Sequence, residues 1–402
     1  MSNANPEIIH LKEYKAQLFP AEKIPHDVGV RLYENYHNQV LVEFPAHPTG
    51  NQWRLTSQGW IGYIPLSEQL HITLEPKVDL SNLFQMLDYA YRLDIRFIDD
   101  LFRCESLHDF YDRLASILGR KIMDRGRKGF HRSYIAYQDS LPYLRERVNL
   151  NNWIRAPWKV DLDCEFHEHT ADIEDNQILA WTLYSIGRSG MCTSKTLGFI
   201  RNAYHELDGY VSLQPFQPNS CINRLYHRLN EDYQPLHALC RFFLEQSGPS
   251  HQIGDRTMIP FLIDMDRLFE LFVAEWFNHN LPEGWRVKIQ ERVYISAENR
   301  LYFQVDLVLI DNQTGSVKCV LDTKYKVPEI PSQDDIAQVI AYAEFLGCEE
   351  AILIYPSSIT HSIDEKPGRI RVRSATFDLS GNLDISGQNL IQDIFSSFCP
   401  KS

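Results

Sequence analysis

Past residue 258 the chain orders its elements in a way that leaves few folds open. The stretch IPFLIDMDRLFELFVAEWFNHNL (259–281) places Leu262, Met265, Leu268, Phe269, Phe272 and Trp276 at the spacing of one helix face, with Glu270 set among them. WRVKIQERVYI and RLYFQVDLVLI then read as two strands, the second an almost wholly apolar run that holds a single acid, Asp306. The turn DNQTGS leads to a third strand, VKCVLDTKYK, carrying Asp322 and Lys324. A helix, DDIAQVIAYAEFLG (334–347), and a buried strand, EEAILIYP (349–356), follow. The alternation predicts an α/β domain over 251–402, built on a central mixed sheet flanked by helices.

The polar residues in these apolar elements point to chemistry. Side chains two apart in a strand share a face, so Asp322 and Lys324 project together, while Leu321 and Thr323 face the other way. The short turn between Asp306 and Asp322 suits a hairpin, which would bring both carboxylates within reach of one divalent cation. Two acids in an apolar setting are costly unless neutralised, and a metal ion neutralises them. Such a centre suits phosphodiester hydrolysis: Mg²⁺ on Asp306 and Asp322 polarises the phosphate and acidifies a water, with Lys324 orienting that water or offsetting the developing charge. Glu270 completes the metal shell directly or through water. Gln338 and Tyr342, four apart on the following helix, share a face that could line the site, where Tyr342 is a candidate DNA contact.

The earlier chain reads differently. Short alternating runs at 39–44, 59–66 and 71–76, separated by Pro, Gly and Asn turns, predict a β-rich N-terminal domain over 1–105. Helical spacing begins at Ser81, with Leu83, Met86, Leu87 and Tyr89, and resumes with Phe110, Leu114, Ile117 and Leu118. A mainly helical middle region is expected over 106–250, with a linker at SGPSHQIGDR (247–256). The whole is an α+β multidomain chain.

Charge sets limits on partners. With 53 acidic against 40 basic residues and a formal net charge of −13, the chain lacks the basic footprint of a protein that holds DNA alone. The densest positive segment is GRKIMDRGRKGFHR, which offers Arg125, Arg127, Lys128 and Arg132 as phosphate contacts. The bland alternative, a solvated helix end, fits the same residues. Eight scattered cysteines without a C-x-x-C pair fit reduced thiols. No apolar run is long enough to cross a bilayer and the start lacks a signal-peptide layout, so a cytoplasmic protein with no membrane partner is expected.

Taken in order, these residues resemble the PD-(D/E)xK nuclease superfamily, and the flanking sequence is similar to one branch of it, the McrC family. The matching stretches are DMDRLFELFVAEW, Gln290, the Asp306 strand, LDTKYK and QVIAYA. GWIGYIPL with ITLEPKVDLSNLFQML, and CEFHEHTADIEDNQIL, match earlier segments. The resemblance implies a restriction-endonuclease-like C-terminal domain with Asp306, Asp322 and Lys324 as its catalytic motif, Glu270 on the preceding helix and Gln338 as an accessory residue. It also implies Mg²⁺ as cofactor, with Asp306, Asp322 and Glu270 as its holders, and double-stranded, methylated DNA as substrate. The implied partner is a McrB-like AAA+ GTPase hexamer, docked through the N-terminal domain, which binds the GTP. The sequence has no G-x-x-x-x-G-K-[ST] loop of its own, in keeping with that division of labour. Two positions depart from the pattern: Val305 stands where proline is expected, and LRERV (144–148) lacks an expected glycine.

Rival readings remain open at this level. Cys164, His167, His169 and Asp172 are zinc-type ligands without a second pair at a suitable distance. Other functions from the same residues are a non-catalytic adaptor that activates a ring NTPase, or a metal-dependent nuclease that needs no partner.

Overall fold

The computed structural model describes residues 7–67, 69–93, 104–155, 158–247, 251–253, 256–258, 260–294, 302–396 and 398. Two compact units emerge, one made of residues 1–110 and 248–402, the other of 111–247. The first and last thirds of the chain, assigned separately to 1–105 and 251–402 on sequence alone, thus belong to one unit.

The first unit begins with β1 (Glu7–Lys12), β2 (Ala16–Pro20), α1 (His26–Tyr36), β3 (Val40–Glu43), β4 (Gln52–Ser57), β5 (Trp60–Pro65), β6 (Leu70–Glu75) and α2 (Leu80–Tyr91). The expected strands at 39–44, 59–66 and 71–76 are β3, β5 and β6. Helix α1 was not expected in this β-rich stretch, although Val28, Leu32 and Tyr36 repeat at helical spacing and are buried. Strands β2, β4 and β3 form one sheet, and β1 pairs in parallel with β6, which pairs antiparallel with β5. Trp53 and Leu32 lie in the core between these layers.

Helix α3 (Leu107–Lys128) leads into the second unit, which holds β7 (Ser133–Leu141), β8 (Arg147–Val148), α4 (Leu150–Arg155), β9 (Leu162–Thr170), α5 (Glu174–Arg188), α6 (Ser194–Asp208) and α7 (Tyr233–Glu245). The region is mainly helical, as expected, and adds a three-stranded sheet in the order β7-β9-β8 that the sequence did not suggest. Strand β7 pairs with β9 along all of its length, so a register set by residues some thirty apart overrides the weak local signal of SYIAYQDSL.

The chain returns to the first unit through β10 (His251–Ile253), β11 (Arg256–Met258), β12 (Phe261–Asp264), α8 (Met265–Asn280), β13 (Trp285–Tyr294), β14 (Tyr302–Asp311), β15 (Val317–Thr323), α9 (Gln333–Leu346), β16 (Glu350–Tyr355), β17 (Asp364–Glu365), β18 (Arg371–Thr376) and α10 (Leu383–Ser396). The expected linker is corrected in part, since β10 lies within it and forms an antiparallel ladder with β11, which starts at its last residue; residues 248–250, 254 and 255 lie outside the described residues. The helix expected from 259 is corrected too, because its first residues form β12, which adds to the N-terminal sheet beside β5 to complete the order β1-β6-β5-β12. Gly62 makes this joint possible. Its φ is +138° and a Cβ there would lie 2.0 Å from the Phe261 carbonyl oxygen, so only glycine admits the β12 backbone.

The remaining strands build a six-stranded mixed sheet in the order β13-β14-β15-β16-β18-β17. Pairing is antiparallel from β13 to β15 and parallel from β15 through β16 to β18. All six residues of β16 are buried, as a central strand covered on both faces requires. Helix α9 packs Val339 and Ala343 onto the face that carries Val308, Val320 and Leu353. Trp276 of α8 is buried against Phe377, and a Cβ on Gly387 of α10 would lie 2.2 Å from its ring. The two segments of the unit are further tied by Asn82, which donates to the Leu379 and Gly381 carbonyls, and by the Tyr89 hydroxyl, which donates to Asp384.

Candidate active site

The hairpin of β14 and β15 sets the geometry. Its last registered pair is Leu307 with Leu321, so Asp306 and Asp322 stand one step further, side by side on neighbouring strands. Burial raises the Asp306 carboxyl above its ordinary value, while the Thr323 backbone N–H and hydroxyl, donating to its Oδ2 at 2.9 and 3.0 Å, hold it back. Asp322 is only 2% exposed; burial, and then the neighbouring Asp306 charge, push its pKa up to about 7.

Lys324 follows the end of β15, where its backbone N–H donates to the Ile354 carbonyl and so continues the ladder onto β16. Its ammonium lies 2.9 Å from Asp322 Oδ2 and 3.4 Å from Asp335 Oδ1, and donates to Gln338 Oε1 at 3.3 Å. The Asp322 oxygen in this ion pair, Oδ2, is buried and meets no further hydrogen-bond donor among the described residues. Burial opposes the Lys324 charge, but Asp322 and then Asp335 outweigh it and raise the pKa, so the side chain is a cation throughout the neutral range.

Glu270 lies on α8, with its pKa raised by burial and then by Asp306, and its Oε1 accepts from Gln290 Nε2 at 3.0 Å. Gln290 stands opposite Asp306 in β13 and has a left-handed φ of 51°, interrupting the ladder at that pair. A left-handed glutamine inside a strand is strained, and such strain collects at functional sites. On α9, Gln338 donates to the Tyr342 hydroxyl. The Tyr342 ring is 5% exposed and meets Phe303 edge-on, so it is a core residue rather than a platform for a base.

Glu270, Asp306, Asp322, Lys324 and Gln338 are thus gathered at one end of the central sheet. Asp335 was missed on sequence alone; its signal is its place in the first turn of α9, where the Ser332 hydroxyl accepts from its N–H. Val305, at the position where proline is expected, is a fully buried ladder residue paired with Glu291.

The basic segment belongs to the second unit. Arg125 is turned inward, bonded to Asp232 at 3.2 Å with its guanidinium over the Tyr233 ring, and Arg127 pairs with Asp124 one turn back. Arg125, Arg127 and Lys128 also occupy the last turn of α3, where cations oppose the helix dipole. Lys128 and Arg132 are exposed. In β9 the side chain of Cys164 is buried, whereas His167 and His169 lie at positions of the opposite face and are exposed, His167 facing Glu146. Strand alternation therefore keeps Cys164 from sharing a zinc ion with the two histidines. Among the described residues no three His, Cys, Asp or Glu side chains form a ready metal cage, and no helix is long and apolar enough to cross a membrane.

Fold and site together define a mixed α/β protein with several sheets, whose principal sheet ends in a cluster of acids and one lysine. Residues 55–356 match the family model described as McrBC 5-methylcytosine restriction system component, and the chain belongs to that family. Among solved structures it is similar to a chain of the refined half-complex from the tetradecameric assembly of Thermococcus gammatolerans McrB AAA+ hexamers with bound McrC. That likeness has 17% identity and a TM-score of 0.55, covering 96% of this chain and 100% of the other. A chain of the Thermococcus gammatolerans McrBC complex is similar at 15% identity and a TM-score of 0.42, over 69% of this chain and 89% of the other. No curated protein matches.

Proposed function

We propose that this chain is the endonuclease subunit of a McrBC-type, modification-dependent restriction system, hydrolysing DNA phosphodiester bonds with Mg²⁺ beside a McrB-like AAA+ GTPase. The observation that carries the reading is the meeting of Asp306, Asp322 and Lys324 at one end of the central sheet, in a chain of the McrBC family. The fold shared with a chain of an assembly of McrB hexamers with bound McrC supports the partner. The net charge of −13 supports delivery of the DNA by another subunit.

The residues suit Mg²⁺. The donors are hard carboxylate oxygens, and the buried Asp322 Oδ2, which among the described residues meets the Lys324 ammonium and no further donor, is the atom a second cation would satisfy. Mg²⁺ keeps several waters and takes only one or two carboxylates besides phosphate, so Asp306 and Asp322, with Glu270 reaching through water, would hold it without a third direct ligand. When bound, the ion would supply Lewis-acid polarisation of the phosphate and a more acidic water.

Each side chain then has a task set by its surroundings. Thr323 fixes one oxygen of Asp306 by two hydrogen bonds and so orients the carboxylate. Lys324, cationic at neutral pH, cannot accept a proton; it offsets negative charge on the phosphate and is aimed by Asp335 and Gln338. Gln290 holds Glu270 toward the hairpin.

The test is cleavage of methylated DNA by the full chain with Mg²⁺, GTP and a McrB-like partner. Asp322→Asn and Lys324→Ala should each slow cleavage by about a hundredfold or more, while stimulation of the partner GTPase persists. Cutting that survives both substitutions refutes the nuclease reading and leaves the adaptor.

A further inference from the structure

Lys324 is held from both sides. Its own N–H donates to β16, and the next residue, Tyr325, is buried at 1% exposure against the N-terminal sheet. The Tyr325 hydroxyl donates to Glu13 Oε2 at 3.1 Å. The same Glu13 oxygen accepts from the backbone N–H of Lys77, whose ammonium donates to the Tyr325 carbonyl at 3.3 Å and sits 4.0 Å over its ring. Glu13 is itself 4% exposed, and its other oxygen is buried without a hydrogen-bond partner among the described residues.

A buried carboxylate and a lysine around a tyrosine are a poor way to gain stability, because desolvation of the carboxylate consumes most of what their attraction returns. They are an effective way to fix a position, because both groups reach Tyr325 from the ends of two neighbouring strands: Glu13 follows β1 and Lys77 follows β6, and those strands pair residue for residue, Lys12 opposite Glu75. Strand β15 ends at Thr323, so beyond Lys324 the ladder no longer determines where the chain goes. We propose that Glu13 and Lys77 are positioning residues of the nuclease centre, acting through Tyr325 to set the Lys324 ammonium against Asp322. The N-terminal sheet is then a working part of the cleavage site. This inference rests on the nuclease reading and adds residues that the acid-and-lysine motif does not contain.

The experiment uses the full chain with the GTPase partner, GTP, Mg²⁺ and methylated DNA, under single-turnover conditions at a temperature where circular dichroism shows every variant folded. Tyr325→Phe and Glu13→Ala should lower the cleavage rate about tenfold or more, since a displacement near 1 Å costs on the order of a hundredfold. The DNA concentration for half-maximal rate and the GTPase stimulation should stay unchanged. Glu13→Gln, whose amide oxygen still accepts from tyrosine, should restore most of the rate lost in Glu13→Ala. Cleavage lost in Asp322→Asn but kept at the wild-type rate in Tyr325→Phe and Glu13→Ala overturns the positioning alone. Cleavage at the wild-type rate by Asp322→Asn overturns the nuclease reading and this inference with it.

Discussion

The acid pair makes a pH prediction whose sign is unusual for carboxylates. Asp322 has an ordinary value of 3.8 and is pushed up to about 7 in the folded chain by burial and then by Asp306. Between those values the folded state keeps a proton that the unfolded chain has released. Stability linked to this site is therefore fully present below about pH 4 and is lost as pH rises toward 7 and past it. At 2% exposure the carboxylate has no solvent to screen it, so the linked free energy reaches about 4 kcal/mol at most. Urea unfolding at pH 5 and pH 8 in a chelator measures it, for the wild type and for Asp322→Asn. The wild type should lose more stability than the variant over this interval, by a few kcal/mol, and the difference cancels the other titrating groups. Mg²⁺ added at pH 8 should return the loss to the wild type alone, and do so less at pH 5, where protons compete for the same oxygens. Parallel pH profiles for the two proteins, or equal stabilisation of both by Mg²⁺, would show that Asp322 is not the strained acid described here.

Other outcomes follow from the packing. Gly62→Ala forces a Cβ into the Phe261 carbonyl and should cost about 3 kcal/mol or more through strain at a glycine-only φ, read as a lower urea midpoint. Arg373, 6% exposed, donates to Glu350 at 2.7 Å; Arg373→Met should cost about 3–5 kcal/mol, and adding Glu350→Gln should recover part of it, because it removes a buried charge whose nearer cation is gone while Arg371 stays at 3.8 Å. Gln290→Gly should relieve about 1 kcal/mol or more of backbone strain yet lower cleavage by freeing Glu270, so a thermal melt and a cleavage assay should move in opposite directions.

The elements that could be read from sequence were those whose partners lie close along the chain. Strands β13 to β16 and helix α9 follow one another with clear periodicity, and the short turn after Asp311 sets the hairpin that aligns Asp306 with Asp322. Four residues of β12 carry no periodicity long enough to register, and their partner β5 lies about two hundred residues earlier, so FLID merged into the helix that follows it. Strand β7 gives no such signal because seven of its nine positions are exposed and the other two only half-buried, so no alternation marks it. Glu13, Lys77 and Asp335 resemble ordinary surface charges as letters. Only the pairing of β1 with β6 and the start of α9 give them their neighbours.

The pairing of β5 with β12 has a consequence during synthesis. Until residues 261–264 leave the ribosome, the strand carrying Trp60 to Pro65 has one bare edge, and Leu262 is missing from the interior it helps to fill. The amino-terminal portion must wait in that unfinished state while the whole intervening unit is translated, exposed to capture by any other extended chain. A nascent polypeptide halted before that point should bind chaperones, and the released full-length chain should not.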